Sequence, residues 1–404
     1  MSIPEELSAA PVVPLRYLVS FNPRPTSDSG GNAVYLPMEA ISEFGPPDTS
    51  RRRPFDDLRQ GYSYVANGDV AFAKVTPCFE NGKGIVARDL PDGQAFATTE
   101  VTVMRPSNKV KADYLGWILQ SSPFLKLGES HMTGSGGLRR VPDSFVRSYS
   151  IPLPGRRTQQ AIANFLDRET ARIDTLIEEQ QRLIEMLRER RHSLIDGVFD
   201  GHAPNARLQN ACIDVVDCPH TTPEVSDDGE YEAVRTASVR NGKFRPGNGL
   251  PVDADTWKAR NGTGAPTVGD VLFTREAPAG EACMVPNDRI CLGQRMVLLR
   301  IDRTACVGTF LLWQIYSDRV QDYFRLSANG STVANVRLPV LRTTPIWLPD
   351  LTEQHRIAAY LDEETAKIDN LIKETEQFIE LSKERRSALI TAAVTGQIDV
   401  RETT

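Results

Sequence analysis

The stretch Ile151–Gly201 reads IPLPGRRTQQAIANFLDRETARIDTLIEEQQRLIEMLRERRHSLIDGVFDG, and Ile346–Gly396 reads IWLPDLTEQHRIAAYLDEETAKIDNLIKETEQFIELSKERRSALITAAVTG. When the two stretches are laid over each other without a gap, 24 of the 51 positions are identical. An ungapped repeat of this length indicates a duplicated structural unit. The 404-residue chain therefore consists of two modules, each a variable region followed by one copy of the repeat.

Each copy of the repeat predicts a long helix. Apolar residues recur at steps of three and four in both copies, from Ile162 to Val198 and from Ile357 to Val394. Charged and amide side chains fill the other faces, a pattern typical of a coiled coil. A helix of this length must bury its apolar stripe. If an approximate two-fold axis relates the modules, the two helices pack against each other in antiparallel orientation.

The two variable regions share a weaker plan. Gly68-Asp69 and Gly269-Asp270 each precede a run of apolar residues, which predicts a turn that opens a β-strand. Tyr35 aligns with Tyr231 in an earlier predicted strand, and Gly134–Gly137 reads as a flexible loop. Each region therefore predicts a mixed α/β domain with many short strands.

The predicted fold class is α/β in the mixed α+β sense, with a pseudo-two-fold internal repeat. Two globular domains are expected, with two long helices between them that pack as an antiparallel coiled coil. The expected boundaries are 1–150 for the first globular domain, 151–203 for the central repeat, 204–345 for the second globular domain and 346–404 for the C-terminal repeat.

The net charge of −6 does not favour nucleic acid as a partner, but the charge is unevenly distributed. Residues 1–150 carry 16 basic and 16 acidic side chains, and residues 201–345 carry the same numbers. The acidic excess lies mainly in residues 346–404, with 7 basic against 12 acidic side chains. A binding face on either globular domain therefore requires that its charges be segregated in space.

The composition and the cysteines point to a cytoplasmic protein. No apolar run approaches the roughly 18 residues that a membrane span needs, and the N-terminal residues lack a signal-peptide pattern. The six cysteines include no CxxC pair and are expected to be free thiols, mostly buried. A zinc site at Cys212, Cys218 and His220 is the less favoured alternative, because the spacing matches no common zinc pattern.

No catalytic motif stands out in the sequence. A Walker lysine loop, HExxH, GxSxG and the Asn/Asp-Pro-Pro-Tyr/Phe motif of amino-methyltransferases are all missing. The chain is therefore predicted not to be an enzyme, and neither a catalytic residue nor a metal ligand is assigned.

The repeats carry a family resemblance. Both modules end with the same motif, in which LP, Q, IA, LD, ID, LI, ERR, LI and G follow one another at the same spacing in each. This motif and the alternation of variable and repeated regions resemble the specificity subunit of type I restriction–modification systems. The resemblance implies a non-catalytic, sequence-specific DNA-binding subunit whose two domains each read one half of a bipartite, asymmetric site. It also implies that the helices act as a spacer and dock two modification (methyltransferase) subunits, which restriction subunits then join. The complex, an adenine methyltransferase and endonuclease, would use S-adenosylmethionine, ATP and Mg, with none of these bound by this chain.

Candidate DNA contacts are long or hydrogen-bonding side chains on predicted loops of the variable regions. Arg and Asn can read base edges, whereas Ser, Thr and Lys often hold phosphates. The candidates are Lys74, Lys83, Thr133, Ser135, Arg139 and Arg140 in the first module, and Arg275, Arg295, Asn329, Ser331, Asn335 and Arg337 in the second. For any one of these residues taken singly, a plain surface role is favoured over a base contact.

Two other function classes stay open at this point. The chain could be a coiled-coil assembly scaffold in which one or both DNA-reading domains are non-functional, a reading that the electrically neutral domains permit. It could also be a self-contained nuclease or methyltransferase with an unrecognised site, which the missing motifs disfavour.

Overall fold

The computed structural model describes residues 2–25, 30–262, 264–327 and 335–400. The chain forms two compact units. The first unit takes in Met1–Gln181 and Gln377–Thr404, and the second takes in Arg182–Glu376. Each unit thus contains one variable region together with part of each repeated segment.

The first unit has two four-stranded sheets, one in the strand order β2-β9-β6-β7 and the other in the order β4-β3-β8-β5. Its helices are α1 (Ile3–Ala9), α2 (Phe55–Arg59), α3 (Ala112–Gln120), α4 (Ser122–Ser130) and α5 (Asp143–Ser148). Its strands are β1 (Val12–Pro14), β2 (Val19–Phe21), β3 (Asn32–Leu36), β4 (Arg52–Pro54), β5 (Ser63–Ala66), β6 (Val70–Ala73), β7 (Gly84–Val86), β8 (Gln94–Ala97), β9 (Val101–Pro106), β10 (Thr133–Ser135), β11 (Leu138–Arg140) and β12 (Ser150–Pro152).

The second unit repeats this topology with a four-stranded sheet in the order β14-β22-β19-β20 and a three-stranded sheet in the order β18-β15-β21. Its helices are α7 (Ala254–Arg260), α8 (Gly308–Ile315), α9 (Asp318–Ser327) and α10 (Leu338–Thr343). Its strands are β13 (Ala206–Arg207), β14 (Cys212–Asp217), β15 (Tyr231–Val234), β16 (Val239–Arg240), β17 (Lys243–Phe244), β18 (Leu250–Val252), β19 (Val271–Thr274), β20 (Ala282–Met284), β21 (Ile290–Leu292), β22 (Met296–Ile301) and β23 (Pro345–Ile346).

Two long helices, α6 (Arg156–Phe199) and α11 (Leu351–Thr395), confirm the helices predicted from the repeat. In the first unit, Ile162 and Leu166 near the start of α6 share one core with Ile390 and Val394 near the end of α11. In the second unit, the end of α6 and the start of α11 share the other core in the same way. The helices therefore pack antiparallel, as expected of a coiled coil.

A buried glutamine fixes the start of each long helix to its own globular domain. Gln159 donates from Nε2 to the carbonyls of Pro154 (2.9 Å) and Lys109 (3.0 Å), and its Oε1 accepts from the N–H of Lys111 (2.8 Å). Both Gln159 and its repeat equivalent Gln354 are fully buried. Both the nitrogen and the oxygen of the Gln159 amide group thus have hydrogen-bond partners. The contact therefore fixes the orientation of the loop as well as stabilising it.

The second glutamine makes the same three contacts in its own unit. Gln354 donates to the carbonyls of Pro349 (2.7 Å) and Ala305 (3.0 Å), and its Oε1 accepts from the N–H of Val307 (2.8 Å). A tryptophan adds a second matched contact: Trp117 Nε1 donates to Asp167 at 2.9 Å, and Trp313 Nε1 donates to Asp362 at 2.7 Å. The two globular domains are therefore attached to the helices by the same chemistry.

Two sequence-based expectations need correction. The predicted alignment of Tyr35 with Tyr231 is two residues out of register, because the turn after β3 begins at Met38 and the turn after β15 begins at Thr236. Gly134–Gly137 lies in a hairpin and not in an irregular loop. Its glycines belong to an antiparallel hairpin in which β10 pairs with β11, with Thr133 opposite Arg140.

The expected strands after the Gly-Asp turns are confirmed as β6 and β19. The buried Asp69 accepts from the N–H of Ala66 (2.8 Å), and the buried Asp270 accepts from the N–H of Thr267 (3.1 Å). Each carboxylate thus accepts from the N–H three residues before it and closes the turn that opens its strand.

All six cysteines are free thiols. Burial raises the pKa of Cys283 and of Cys306 to about 12. Among the residues that the structure describes, no group of His, Cys, Asp and Glu side chains is arranged to hold a metal ion. In the same parts of the chain, no helix combines the length and the apolar character that a membrane crossing needs.

Replacing Gln159 with Ala tests the attachment of the first domain to α6. Gln159→Ala leaves the N–H of Lys111 and two carbonyls without a partner, so the first unit is expected to lose about 1–3 kcal/mol of unfolding free energy. Urea titration followed by tryptophan fluorescence measures this loss. The control is Gln181→Ala, at an exposed position of α6; equal stability of the two variants would contradict the role assigned to Gln159.

Candidate nucleic-acid interface

The first unit has a broad groove beside the end of α2. The groove has a volume of about 790 Å³, and its described lining residues include three cations and no acidic side chain. They are Asn22, Pro23, Arg24, Pro25, Arg59, Gln60, Gly61, Tyr62, Ser63, Tyr64, Lys74, Phe96, Thr99 and Val101. We call this site the first groove. Cations beside aromatic and amide side chains suit a nucleic acid, which offers phosphates and base faces.

The second unit has a smaller groove at the corresponding place, with a volume of about 280 Å³. Arg260 ends α7 as Arg59 ends α2, and both arginines line their grooves. The guanidinium of Arg260 donates to the carbonyls of Leu292 (2.8 Å), Thr221 (3.1 Å) and Pro219 (3.3 Å). Arg260 therefore holds the loop after β14 in place. We call this site the second groove.

In the first unit, five of the predicted contacts lie around the end of β6. Lys74 lines the first groove, and its carbonyl accepts from the N–H of Val141 at 2.8 Å, directly after the β10–β11 hairpin. The hairpin carries the other four, Thr133, Ser135, Arg139 and Arg140. Lys83 is engaged elsewhere, because its ammonium donates to the carbonyl of Met38 at 3.1 Å.

Both hairpin arginines are paired with carboxylates. Arg140 makes two bonds of 2.8 Å to Glu100, and these bonds hold the pKa of Glu100 below its usual range. Arg139 contacts Glu80 at 3.3 Å, while its backbone N–H and C=O both bond to the hydroxyl of Thr76. Both guanidinium groups are more than two-fifths exposed. Exposed pairs of this kind contribute little to stability, so either arginine can turn toward a phosphate or a base.

In the second unit, Arg275, Arg295 and Asn335 lie together at the corresponding end of β19. The N–H of Arg275 donates to the carbonyl of Arg295, and the carbonyl of Arg275 accepts from the N–H of Val336, both at 2.9 Å. Glu276 lies 3.8 Å from Arg295 and accepts from Asn335 at 3.4 Å. The side chains of Arg295 and Asn335 thus share Glu276 as a neighbour, beside the backbone of Arg275.

Arg275 differs from the other candidates because its side chain is only 15% exposed. Its Nη1 donates to both carboxylate oxygens of Asp217, at 2.8 and 2.9 Å. Asp217 also accepts from the N–H of Cys218 at 3.0 Å. This pairing joins the ends of β14 and β19, so Arg275 positions the backbone beside the second groove.

Arg337 stands at the N-terminus of α10, where its carbonyl accepts from Leu341 and its side chain is exposed. Asn329 and Ser331 lie outside the described residues. In the second module the structure thus describes four of the candidates. Arg275 positions the backbone, Arg295 and Asn335 share Glu276 as a neighbour, and Arg337 is exposed.

Sequence reasoning missed most of the first groove. Arg24, Arg59, Tyr62 and Tyr64 line it, yet none was a candidate. The Arg51–Arg53 run carried a partial signal: Arg53 donates to the hydroxyl of Tyr62 at 3.0 Å, and its guanidinium lies 5.7 Å from the centre of that ring. The aromatic pair flanking Ser63 within a basic region could have indicated a stacking surface.

Comparison with known proteins gives one family match. A model of the type I restriction modification DNA specificity domain matches residues 217–381. The EcoEI and EcoAI specificity subunits of type I restriction enzymes from Escherichia coli are 34% and 36% identical to the chain over 177 and 183 residues. Each alignment covers 43% of this chain, but only 30% and 31% of the relative. The chain therefore spans about a third of the length of the curated relatives that it matches.

Two solved structures share the fold over almost the whole chain. One comes from work on complex assembly and conformational transition of the type I R-M system; it has a TM-score of 0.76 at 19% identity and covers 96% of this chain and 98% of that one. The other is the HsdS subunit from Thermoanaerobacter tengcongensis, with a TM-score of 0.56 at 20% identity, covering 96% and 97%. At these identities the likeness shows the fold.

Replacing Arg275 and Arg337 with Met, one at a time, tests whether Arg275 has a structural role that the exposed Arg337 lacks. Arg275→Met leaves the half-buried Asp217 without its cation, so the unfolding free energy of the second unit is expected to fall by about 1–3 kcal/mol. Arg337→Met, at an exposed site, is expected to change it by less than about 0.5 kcal/mol. Thermal unfolding of both variants measures the difference. If Arg275→Met were as stable as the unchanged chain, its ion pair would have no positioning role.

Proposed function

We propose that this chain belongs to the family of type I restriction–modification specificity subunits and that it selects the DNA sequence on which a larger complex acts. Each module reads one half of a bipartite, asymmetric site in double-stranded DNA. The observation that supports this proposal most directly is that both globular domains are attached to the long helices by the same contacts but have different grooves. Two domains of this kind are better suited to binding two different half-sites than to catalysing a single reaction.

The proposed division of the chain follows the repeat. Residues 1–150 and 204–345 are the two target-recognition domains, and residues 151–203 and 346–404 are the repeated helical segments that act as spacer and as docking surface. Two modification subunits bind this surface, and restriction subunits join them. Methyl transfer and cleavage then belong to those partners, which use S-adenosylmethionine, ATP and Mg in the cytoplasm, while this chain itself is not a catalyst.

Electrostatics supports the first groove as a DNA contact. Arg24, Arg59 and Lys74 line it, and its described lining residues include no acidic side chain, although residues 1–150 are neutral as a whole. Charge is therefore segregated onto this face, as a neutral domain requires if it is to attract phosphates. Tyr62 and Tyr64 add aromatic surface at the same place.

The hairpin extends the proposed contact beyond the groove. Thr133 and Ser135 are exposed on β10, and Arg139 and Arg140 are held only by surface ion pairs. Exchange of a carboxylate partner for a phosphate or a guanine edge costs an arginine at such a site little. We therefore keep these four residues and Lys74 as proposed DNA contacts, with Lys83 as a more remote one.

In the second module we propose Arg337, Arg295 and Asn335 as DNA contacts and Arg275 as the residue that positions them. Arg337 is exposed and carries no ion pair among the described residues, so it is free to form a bidentate bond to a base. Asn329 and Ser331 remain proposals from the sequence.

Adenine-methylation mapping tests the proposed function. A methylation-free host expresses this chain with its neighbouring modification subunit, or that subunit alone. One split motif, methylated only when the chain is present, is the expected result. A stable complex that leaves the genome unmethylated would contradict the reading function and favour an assembly scaffold.

The variant Arg337→Ala tests a single contact in the same assay. If Arg337 reads a base, the variant relaxes the specificity at one position of the second half-site, at a cost of about 1–3 kcal/mol, and leaves the first half-site unchanged. Uniformly weaker methylation of all sites would instead mark Arg337 as a phosphate contact. Lys258→Ala, on the exposed part of α7, is the control.

A further inference from the structure

The first unit contains a second open site, formed by the loop 43–49, α3 and both long helices. It has a volume of about 560 Å³. Its lining residues include Phe44, Pro46 and Pro47 from the loop and Trp117, Asp174 and Arg386 from the helices. We call this site the proline-walled cleft.

The corresponding place in the second unit is filled by its own chain. Arg191 and Asp369, the repeat equivalents of Arg386 and Asp174, form an ion pair at 3.1 Å. Arg191 also donates to the carbonyl of Asn241 at 3.0 Å, and the ammonium of Lys243 lies 2.6 Å from Asp369. The turn between β16 and β17 thus meets both charges of the pair.

The residue between these two contacts is Gly242, which lies flat against Trp313. A Cβ placed on Gly242 would come within 3.4 Å of the indole ring, and its φ of +84° favours glycine. Arg191 completes the enclosure, with its guanidinium 5.4 Å from the centre of the same ring. The turn that fills this place in the second unit therefore has three features, in this order along the chain: a carbonyl that accepts from Arg191, a glycine that lies on Trp313, and a cation that binds Asp369.

The first unit keeps the receptor side of this arrangement but lacks the occupant. Arg386 contacts Asp174 at 2.9 Å, and no other cation among the described residues reaches that carboxylate. The side chains of Arg386 and Asp174 are 25% and 46% exposed, against 12% and 20% for Arg191 and Asp369. The same ion pair is therefore about twice as open.

The loop sequence explains why the first unit does not fill its own cleft. Phe44 and Asn241 both have positive φ, 61° and 52°, and each is followed by a glycine. After that glycine the second unit has Lys243-Phe244, which pairs as β17, whereas the first unit has Pro46-Pro47. Proline has no N–H for strand pairing, so Pro46-Pro47 forms no counterpart of β17. The loop still closes, because the N–H of Asp48 donates to the carbonyl of Ala40 at 3.0 Å, but residues 43–49 contain no cation that could bind Asp174.

The charge of the cleft selects the class of occupant. Its lining residues include five acids, Glu43, Asp89, Asp113, Asp167 and Asp174, and two bases, Arg88 and Arg386. Burial raises the pKa of Asp167, and its hydrogen bond from Trp117 partly offsets this. An acidic cleft repels phosphates, which excludes DNA as the occupant, and attracts a cation.

We propose that the proline-walled cleft is a docking site for another protein chain, and that it receives a tight turn in which a glycine is followed at once by Lys or Arg. The carbonyl before the glycine accepts from Arg386, the glycine lies on Trp117, and the cation binds Asp174. The proposal concerns a protein partner and does not depend on DNA reading.

A labelled cyclic peptide of residues 239–244, Val-Arg-Asn-Gly-Lys-Phe, is the probe. Fluorescence anisotropy against the full-length chain is expected to show saturable binding with one site. Asp174→Asn is expected to weaken binding about tenfold or more, because a desolvated charge pair is lost. Asp369→Asn is the matched control and is expected to leave binding unchanged, since Lys243 of the chain already occupies that carboxylate.

A second comparison needs no protein variant. A peptide with Ala in place of its Lys is expected to bind the unchanged chain about tenfold more weakly. The proposal is overturned if the probe shows no saturable binding up to millimolar concentration. It is also overturned if the Lys and Ala peptides bind equally well, or if Asp174→Asn and Asp369→Asn have the same effect.

Discussion

A helix of more than forty residues with an apolar stripe along one side cannot remain exposed in water. In each unit this constraint is met by packing part of α6 against part of α11 and against one globular domain. The buried amides of Gln159 and Gln354 then decide how each domain is oriented on its helix, because apolar packing alone is not directional. The two Trp–Asp bonds add a second fixed point. The grooves differ between the units, whereas these attachment contacts are the same in both.

The residues that attach each domain to its helix include glutamines of the repeated segments, whose structure could be predicted best from the sequence. The helices follow from apolar periodicity, and the glutamines stand at identical positions in the repeat. The register between the two units was harder to predict. Tyr35 in β3 and Tyr231 in β15 are the same residue type in equivalent strands, yet the turns that follow show that their positions differ by two residues. A matching side chain is weak information on register when the adjacent turn differs.

The candidate sites were only partly predictable, and the reason is physical. Basic residues near the ends of β6 and β19 could be found from the sequence, because those strands are marked by their Gly-Asp turns. Their partners could not: Glu80 and Glu100 lie 59 and 40 residues from the arginines that they bind, and Asp217 lies 58 residues from Arg275. Whether an arginine is available for DNA depends on these tertiary pairs. The first groove was missed for the same reason, since its lining residues come from four separate stretches of the chain, 22–25, 59–64, 74 and 96–101.

Two kinds of divergence on one scaffold have different consequences. Under the proposed function, substitutions in the grooves change the DNA sequence that each module reads, while the contacts of Gln159 and Gln354 stay the same. The exchange of Lys243-Phe244 for Pro46-Pro47 instead opens a surface beside the helices, next to the conserved ion pair of Arg386 and Asp174. The proposed DNA contacts of the first groove and the proposed protein docking site thus share no lining residue in the first unit.

The central claim is that each module reads its half-site independently. The most direct measurement is selection from a randomised duplex library by the assembled complex, with the double variant Arg24→Gln and Lys74→Gln compared with the unchanged chain. The account predicts that the variant loses base preference in one half of the selected motif and keeps it in the other. Loss of preference in both halves together, or a single continuous motif for the unchanged chain, would contradict it.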